Sequence, residues 1–441
     1  MGSKWKTAKL TDHYEIRSGL SKPAKDFGSG YPFLTFKDVF YNYFTPEKLG
    51  DLVESTEKDR LGCSVLRGDV FLTRTSETMN ELGMSCVALK DYENSTFNGF
   101  CKRLRPKADS ELVPEYVGYY LRSPLFRRSM MAFSTMSTRA SLNNEMISRL
   151  DISYPDPDEQ VEIASVLKTL DEKISLNNQI NQTLEQMAQT LFKSWFVDFD
   201  PVIDNALDAG SPIPEVFEAR VERRKAVHES ADFKPLPDDV RQLFPSEFEE
   251  SELGCVPKGW VISRLDNILE LAYGKALKKT DRIAGEFPVY GSGGINGSHN
   301  TALVEGPGII VGRKGTVGSL YWESRDFFPI DTVFYVKPKP QFSLNYCFQL
   351  LQTLGLERMN TDAAVPGLNR NNAYRLECIV PSTQVLERAT LMLNGFQDKV
   401  ELNLGENKSL EKLRDTLLPK LISGELRLDS LEVEQAKTLV E

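Results

Sequence analysis

The chain has 441 residues, of which 41% are hydrophobic, and it carries a formal net charge of −10 at pH 7. This length predicts two to four domains with ordinary cores, and no apolar run reaches the roughly 18 residues that a membrane span requires. Because the amino-terminal residues also have no apolar signal core, we expect a cytoplasmic protein without membrane association.

Short β-rich runs separated by turn signals fill residues 1–155, which predicts a first α/β domain with a twisted sheet. A small basic loop that contains Arg74 follows the strand-like segment DVFL. Residues 1–150 hold 22 Lys and Arg against 18 Asp and Glu, so this region is mildly basic despite the acidic average. The charge permits local phosphate contacts, but it is weaker than that of a stand-alone DNA-binding protein.

Residues 156–199 predict a long coiled-coil helix. Apolar residues recur at alternating steps of four and three from Ile163 to Trp195, with Asn177 and Asn181 inside the seam. A seam asparagine costs stability unless its amide is paired, and it sets the register of two packed helices.

The next segment, residues 200–258, is a Pro-rich acidic connector with 14 Asp and Glu against 7 Lys and Arg. Within it, RVERRKAVHES has the composition of a separate short helix. Two interpretations remain open. The connector is either a flexible linker, or it packs on the long helices or on a partner subunit.

Residues 259–382 predict a second α/β domain, with strand-like runs such as FPVYGSGG and TVFYVKP. The loop GRKGT, residues 312–316, follows the strand-like GIIV. Its glycines allow the backbone to approach a phosphate, and the guanidinium of Arg313 can reach guanine O6 and N7. The glycine spacing differs from that of a P-loop, so no nucleotide site is predicted.

A second long helix is predicted over residues 383–427, followed by a tail, and it belongs to an internal repeat. SLNNEMISRLDISYP at 141–155 recurs as GLNRNNAYRLECIVP at 367–381, an offset of 226 residues. The same offset carries the two seam asparagines onto Asn403 and Asn407. The repeat predicts two copies of one structural unit.

Antiparallel packing of the two helices would bring Asn177 opposite Asn407 and Asn181 opposite Asn403. The alternative is two ordinary amphipathic helices buried in separate domains. Pro419 occupies the place of Lys193 in the first copy, which predicts that the second helix ends or kinks early.

No catalytic constellation is evident. The six cysteines and three histidines lack zinc spacing, and the methyltransferase signature Asp/Asn-Pro-Pro-aromatic does not occur. Asp171-Glu172-Lys173 lies on the helix, where a solvated charged face is the expected role. A stand-alone methyltransferase or nuclease is therefore disfavoured. A purely structural scaffold is disfavoured as well, because it does not explain why the two α/β domains differ in sequence while the segments that follow them repeat.

The phrases QTLFKSWFVDFDPV, LLPKLISGELRL, GDVFLTRTSE and GRKGTVG closely resemble the specificity subunit of type I restriction-modification enzymes, and the resemblance covers essentially the whole chain. It implies an α+β fold with two α/β target-recognition domains, at 1–155 and 259–382. An antiparallel two-helix coiled coil, built from 156–199 and 383–427, separates them within a pseudo-twofold repeat. Residues 200–258 would connect the copies, and 428–441 would form the tail.

The resemblance also implies partners. Each recognition domain would read one half of a split double-stranded DNA site, with the coiled coil as the spacer between half-sites and as the docking site for two modification subunits. Those subunits would bring S-adenosylmethionine for N6-adenine methylation, and separate restriction subunits would bring ATP and magnesium. The chain itself is expected to be non-catalytic and to bind no cofactor.

We predict three groups of site residues. DNA contacts are expected from basic and polar residues of the two domains, namely Lys22, Lys25, Lys37, Arg74, Thr75, Ser76, Arg139, Lys275, Lys278, Arg313, Lys314, Thr316, Asn369 and Arg370. The four seam asparagines set the helix register. Aromatic and apolar residues at the helix ends are expected to pack on the opposite recognition domain or on a modification subunit, and the alternative is that they are buried against one another in a core. These residues are Trp195, Phe196, Phe199, Leu418 and Leu421.

Overall fold

The computed structural model describes residues 5–76, 81–132, 140–231, 233–359 and 367–439. The chain divides into two compact units, one formed by residues 1–177 with 406–441 and the other by residues 178–405. Each unit has its own large hydrophobic core. Both mix helices and sheets, which confirms the predicted α+β class.

The first unit opens with short strands and helices that form small antiparallel and mixed sheets. In chain order these elements are β1 Lys6–Lys9, α1 Leu10–His13, β2 Tyr14–Ser18, β3 Phe27–Leu34, α2 Phe36–Tyr41, β4 Asp51–Val53, α3 Glu57–Gly62, β5 Val70–Thr73, β6 Thr75–Ser76, β7 Ser85–Val87, β8 Thr96–Phe97, β9 Cys101–Pro106, α4 Pro114–Arg122, α5 Pro124–Ala132, β10 Ala140–Ser141, α6 Asn144–Ser148 and β11 Asp151–Tyr154. One sheet has the order β2-β9-β5-β7 and another β4-β3-β8, while β1 pairs with β11 and β6 with β10.

The first long helix and the connector follow. They comprise α7 Pro157–Phe192, a π-helical turn Lys193–Val197, α8 Asp200–Ala209, α9 Glu218–His228, α10 Asp238–Arg241, β12 Phe248–Ser251 and β13 Gly254–Pro257. Strands β12 and β13 form an antiparallel pair.

The second set of strands leads into the second long helix. Its elements are β14 Val261–Arg264, β15 Leu269–Tyr273, β16 Phe287–Gly291, β17 Gly294–His299, β18 Gly308–Gly312, β19 Leu320–Glu323, β20 Phe328–Pro329, β21 Val333–Pro338, α11 Leu344–Thr353, α12 Arg370–Tyr374, β22 Glu377–Val380, α13 Thr383–Ile422 and α14 Leu431–Thr438. The sheet orders are β15-β21-β18-β19 and β17-β16-β20, and β14 pairs with β22. The two larger sheets and the β1–β11 pair of the first unit thus have counterparts of the same strand order, which confirms the internal repeat. In place of the β6–β10 pair the second unit has a single bridge between Lys314 and Gly367.

In the first unit the two long helices pack against each other in the antiparallel sense. Leu167 of α7 and Leu417 of α13 share one core. The side-chain amide of Asn177 donates to Oδ1 of Asn407 at 2.9 Å and to Oε2 of Glu406 at 2.8 Å. The predicted pairing of Asn177 with Asn407 is confirmed.

In the second unit the same two helices are paired through the other asparagines. Nδ2 of Asn403 donates to Oδ1 of Asn181 at 2.8 Å, and both side chains are buried. Ala188 of α7 and Leu393 of α13 share the second core. The antiparallel register is therefore confirmed here as well.

The prediction that Pro419 ends the second helix early is wrong, because α13 runs through Pro419 to Ile422. A kink at Pro419 stays a prediction. Pro419 removes one backbone donor close to the carboxyl end of the helix. Leu418, Leu421 and Ile422 are buried in the first core. Their packing offsets the lost hydrogen bond, since tertiary burial rather than local propensity dominates helix stability.

A single substitution in the asparagine pair of the second unit should destabilise that unit. Asn403→Leu would leave the buried Oδ1 of Asn181 without its donor, which costs about 1–3 kcal/mol of unfolding free energy. The double variant Asn181→Leu, Asn403→Leu removes both partners, so we expect it to recover most of that loss. Urea unfolding of the three proteins measures the difference. If the single and the double variant lost the same unfolding free energy, the hydrogen bond between Asn181 and Asn403 would not be what stabilises the pair.

The connector is folded, so its interpretation as a flexible linker is wrong. The predicted short helix is present as α9. Phe217, Val240 and Phe244 are buried in the second core, and Nε of Arg224 donates to Oδ1 of Asp204 at 2.8 Å. Apolar residues that are far apart in the connector sequence thus meet against the end of α7.

The expected partner-binding residues belong to the cores of the protein itself. They are at most 6% exposed, namely Trp195, Phe196, Phe199, Leu418 and Leu421. The first three lie in the core of the second unit and the two leucines in that of the first. These side chains therefore pack on the opposite recognition domain, since Phe196 and Phe199 contact Trp260 and the two leucines share the core of the first domain. The expected role in binding a partner subunit is corrected, because almost none of their surface is available to one.

Candidate nucleic-acid interface

The two predicted basic loops occupy equivalent positions in the two units. Arg74 directly follows β5, and its carbonyl accepts a hydrogen bond from the N–H of Leu142 at 2.8 Å. Arg313 directly follows β18, and its carbonyl accepts from the N–H of Leu368 at 2.8 Å. Leu142 and Leu368 are related by the 226-residue repeat. The repeat segment therefore holds one arginine at the same place in each fold.

In the first unit a second cation lies close to Arg74. Lys102 on β9 is 9% exposed, and its Nζ donates to Oγ of Ser18 and to Oδ1 of Asn144, both at 2.9 Å. Burial lowers the pKa of Lys102, and the positive charge of Arg74 lowers it further. Ser18, Arg74 and Asn144 are exposed at the surface around this amine.

In the second unit the two predicted arginines meet on a tyrosine. The guanidinium carbon of Arg313 lies 4.9 Å from the ring centroid of Tyr273, and that of Arg370 lies 4.6 Å from the same centroid. Nη1 of Arg313 also donates to the carbonyl of Asp331 at 2.9 Å. Stacking on an aromatic ring orients both guanidinium groups while leaving donors available to a ligand.

The other predicted residues of the first unit are scattered. Lys22 pairs with Asp59 at 3.0 Å, and the pKa of Asp59 is lowered to about 2 by a hydrogen bond from the Thr56 backbone and by Lys22. Three residues are exposed, namely Lys25, Lys37 and Thr75. The backbone of Ser76 pairs with Ala140, and Arg139 lies outside the described residues.

In the second unit four further predicted residues are exposed, namely Lys275, Lys278, Lys314 and Thr316. Asn369 has a structural role, because its Oδ1 accepts from the backbone N–H groups of Asn371 and Asn372 at the start of α12. That carboxamide oxygen is engaged in capping the helix.

Three residues near Arg74 and one near Arg313 were not identified from the sequence, namely Ser18, Lys102, Asn144 and Tyr273. The repeat contained a signal for one of them. Ser18 ends β2 as Tyr273 ends β15, and Asn144 begins α6 as Arg370 begins α12. The 226-residue offset maps Asn144 onto the predicted Arg370, so the repeat indicated Asn144. Ser18 and Tyr273 are equivalent to each other and neither was predicted, and the burial of Lys102 has no sequence signal.

No helix within the described residues is both long and apolar enough to cross a membrane. The described ranges also contain no group of three or more His, Cys, Asp or Glu side chains placed to hold a metal ion.

Comparison with known proteins agrees with this duplicated architecture. The family model for the type I restriction modification DNA specificity domain matches residues 2–186 and 257–411. The specificity subunit of the type I restriction enzyme HindI from Haemophilus influenzae is 27% identical, over 96% of this chain and 100% of that protein. The MjaIX specificity subunit from Methanocaldococcus jannaschii is 25% identical, over 97% of this chain and 94% of that protein.

A solved structure shares the fold. The crystal structure of a type I restriction-modification S subunit from M. genitalium aligns with a TM-score of 0.52 and 16% identity, covering 95% of this chain and 96% of that chain. The family model accounts for well over half of the sequence, in two segments that correspond to the two repeat copies. The protein therefore belongs to the type I restriction-modification DNA specificity family.

Proposed function

We propose that this chain is the DNA sequence-specificity subunit of a type I restriction-modification complex. Each repeat copy binds one half of a bipartite double-stranded DNA site. The equivalent placement of Arg74 and Arg313 carries the proposal. The same backbone frame presents an arginine in both copies, while the side chains around it differ, as expected of two recognition domains with different half-sites.

The chain itself is a recognition subunit without catalysis. Two modification subunits bind S-adenosylmethionine and methylate adenine, and they dock on the paired helices. Restriction subunits bind ATP and magnesium. The mild basic charge of the two repeat copies supports this assignment of recognition to the chain and catalysis to its partners. A weakly basic chain binds DNA more tightly when its partners make additional phosphate contacts.

The paired helices are proposed to set the spacer between the half-sites. The buried asparagine pairs support this role, since paired seam asparagines fix the register of packed helices. A stand-alone methyltransferase is the competing function. Methylation by the purified chain without any partner would favour it.

The proposal is tested by mapping methylated adenines in cells that carry this chain with its modification subunit. A single bipartite motif is expected, and no motif, or a contiguous one, would contradict the proposal.

Single arginine variants should separate the two half-sites. Arg74→Ala and Arg313→Ala should each weaken recognition of one half-site by about 1–3 kcal/mol, or about 5- to 150-fold, if the contact to guanine is bidentate. Competition binding with duplexes altered in one half measures the effect. Arg149→Ala and Arg264→Ala are matched controls, because these exposed arginines pair with nearby carboxylates. If both variants lost recognition of the same half-site, the proposal that each repeat copy binds one half-site would be contradicted.

A further inference from the structure

The amine of Lys102 is a buried cation without a carboxylate partner among the described residues. Its Nζ donates to the hydroxyl of Ser18 and to the amide oxygen of Asn144. The neighbouring charge that acts on it is Arg74, which is also positive. Burial of a lysine is costly unless the charge is compensated, so an uncompensated pair of cations indicates a site that receives a negatively polarised group.

The groups around Lys102 offer hydrogen-bond donors to solvent. Arg74 carries only donors, and Asn144 has its Oδ1 engaged by Lys102, which leaves its amide N–H groups to face a ligand. Lys102 has three N–H donors, two of which are used by Ser18 and Asn144. The cluster is therefore complementary to a group that only accepts hydrogen bonds.

The second unit has cationic side chains at the positions equivalent to this cluster. Ser18 pairs with Lys102 across β2 and β9, and Tyr273 pairs with Phe334 across β15 and β21. Arg370 begins α12 where Asn144 begins α6. Both copies thus place two cations at this corner of the sheet, but they differ in which element supplies the second cation.

We propose that Arg74, Asn144 and Lys102 form the acceptor-binding pocket of the first recognition domain. Arg74 and Asn144 contact DNA, and Lys102 is a positioning residue that orients the Asn144 amide and supplies charge. The ligand is an edge with acceptors only, either guanine O6 and N7 in the major groove or phosphate oxygens. This inference rests on the proposed DNA-recognition function.

Three variants in the complete complex with modification subunits test the pocket. Lys102→Met keeps the buried stem but removes the charge. Asn144→Asp adds a carboxylate that would pair with Lys102 and Arg74. Lys90→Met is the matched control, because it removes one charge from a lysine paired with Glu47. The readouts are the thermal midpoint, DNA affinity at several salt concentrations, and the map of methylated adenines.

Lys102→Met and Asn144→Asp should each lower affinity for the specific site about tenfold or more, without lowering the thermal midpoint. Merely structural residues would show the reverse, a lower midpoint with unchanged recognition. If guanine is the ligand, the variants relax one base position in the first half of the motif. If phosphate is the ligand, the motif is unchanged and the slope of log affinity against log salt falls by about one.

The pocket is overturned if both variants match Lys90→Met in affinity, salt slope and motif, or if affinity falls only together with the thermal midpoint. The proposed function fails separately, through absence of a bipartite motif in the unsubstituted complex. An unsubstituted complex with such a motif, combined with unaffected Lys102 and Asn144 variants, would reject the pocket alone.

Discussion

Trp195→Ala is expected to destabilise the second unit by about 3–5 kcal/mol, the usual cost of removing a buried tryptophan. Its ring is 2% exposed and meets the ring of Phe244 edge to face, with centroids 4.9 Å apart. The cavity would open between the π-helical turn Lys193–Val197 and the connector. Denaturant unfolding of the isolated chain, together with hydrogen exchange over residues 200–258, measures the loss and its location.

Met187→Ala is the matched control for Trp195, since Met187 lies on α7, the helix directly before the π-helical turn that carries Trp195, and is 47% exposed. We expect its effect to stay within about 0.5 kcal/mol. If Trp195→Ala left the isolated chain unaffected but abolished assembly with the modification subunit, the docking role expected from the sequence would be restored.

Gly274→Ala should disrupt the second recognition domain, with a loss of about 3 kcal/mol, the upper end of typical overpacking costs. A Cβ at this position would lie 2.1 Å from the carbonyl oxygen of Ile330 and 2.5 Å from that of Pro329. These are backbone atoms held in place, because the N–H of Ile330 donates to the carbonyl of Tyr290 at 2.9 Å. The neighbouring Tyr273, on which Arg313 and Arg370 stack, would be displaced.

The functional result should be confined to one half-site. In the proposed complex, Gly274→Ala should weaken discrimination in the half read by the second domain and preserve it in the other half. Gly293→Ala is the control, because its Cβ would meet nothing within 4 Å. Duplex competition with each half altered in turn measures both. Equal behaviour of the two glycine variants would contradict a steric requirement at Gly274.

Much of the fold was predictable because the long helices have a regular spacing of apolar residues and because the sequence contains an internal repeat. The steps of four and three in the long helices, together with the spacing of Asn177 and Asn181, predicted which asparagines meet if the helices are antiparallel, and the family resemblance implied that sense. The repeat predicted two copies of one unit, and short strands followed by basic loops located Arg74 and Arg313.

The sequence by itself therefore determined the duplication, the register that antiparallel helices would have, the family resemblance and the two loops that carry Arg74 and Arg313. Only the tertiary structure decided that the connector folds, that Trp195 is a core residue, that α13 continues past Pro419 and that Lys102 is buried. Lys102 is 84 residues from Ser18 and 42 from Asn144. A helix register depends on residues three or four apart, whereas such a cluster depends on which distant strands pair, and no local pattern encodes that choice.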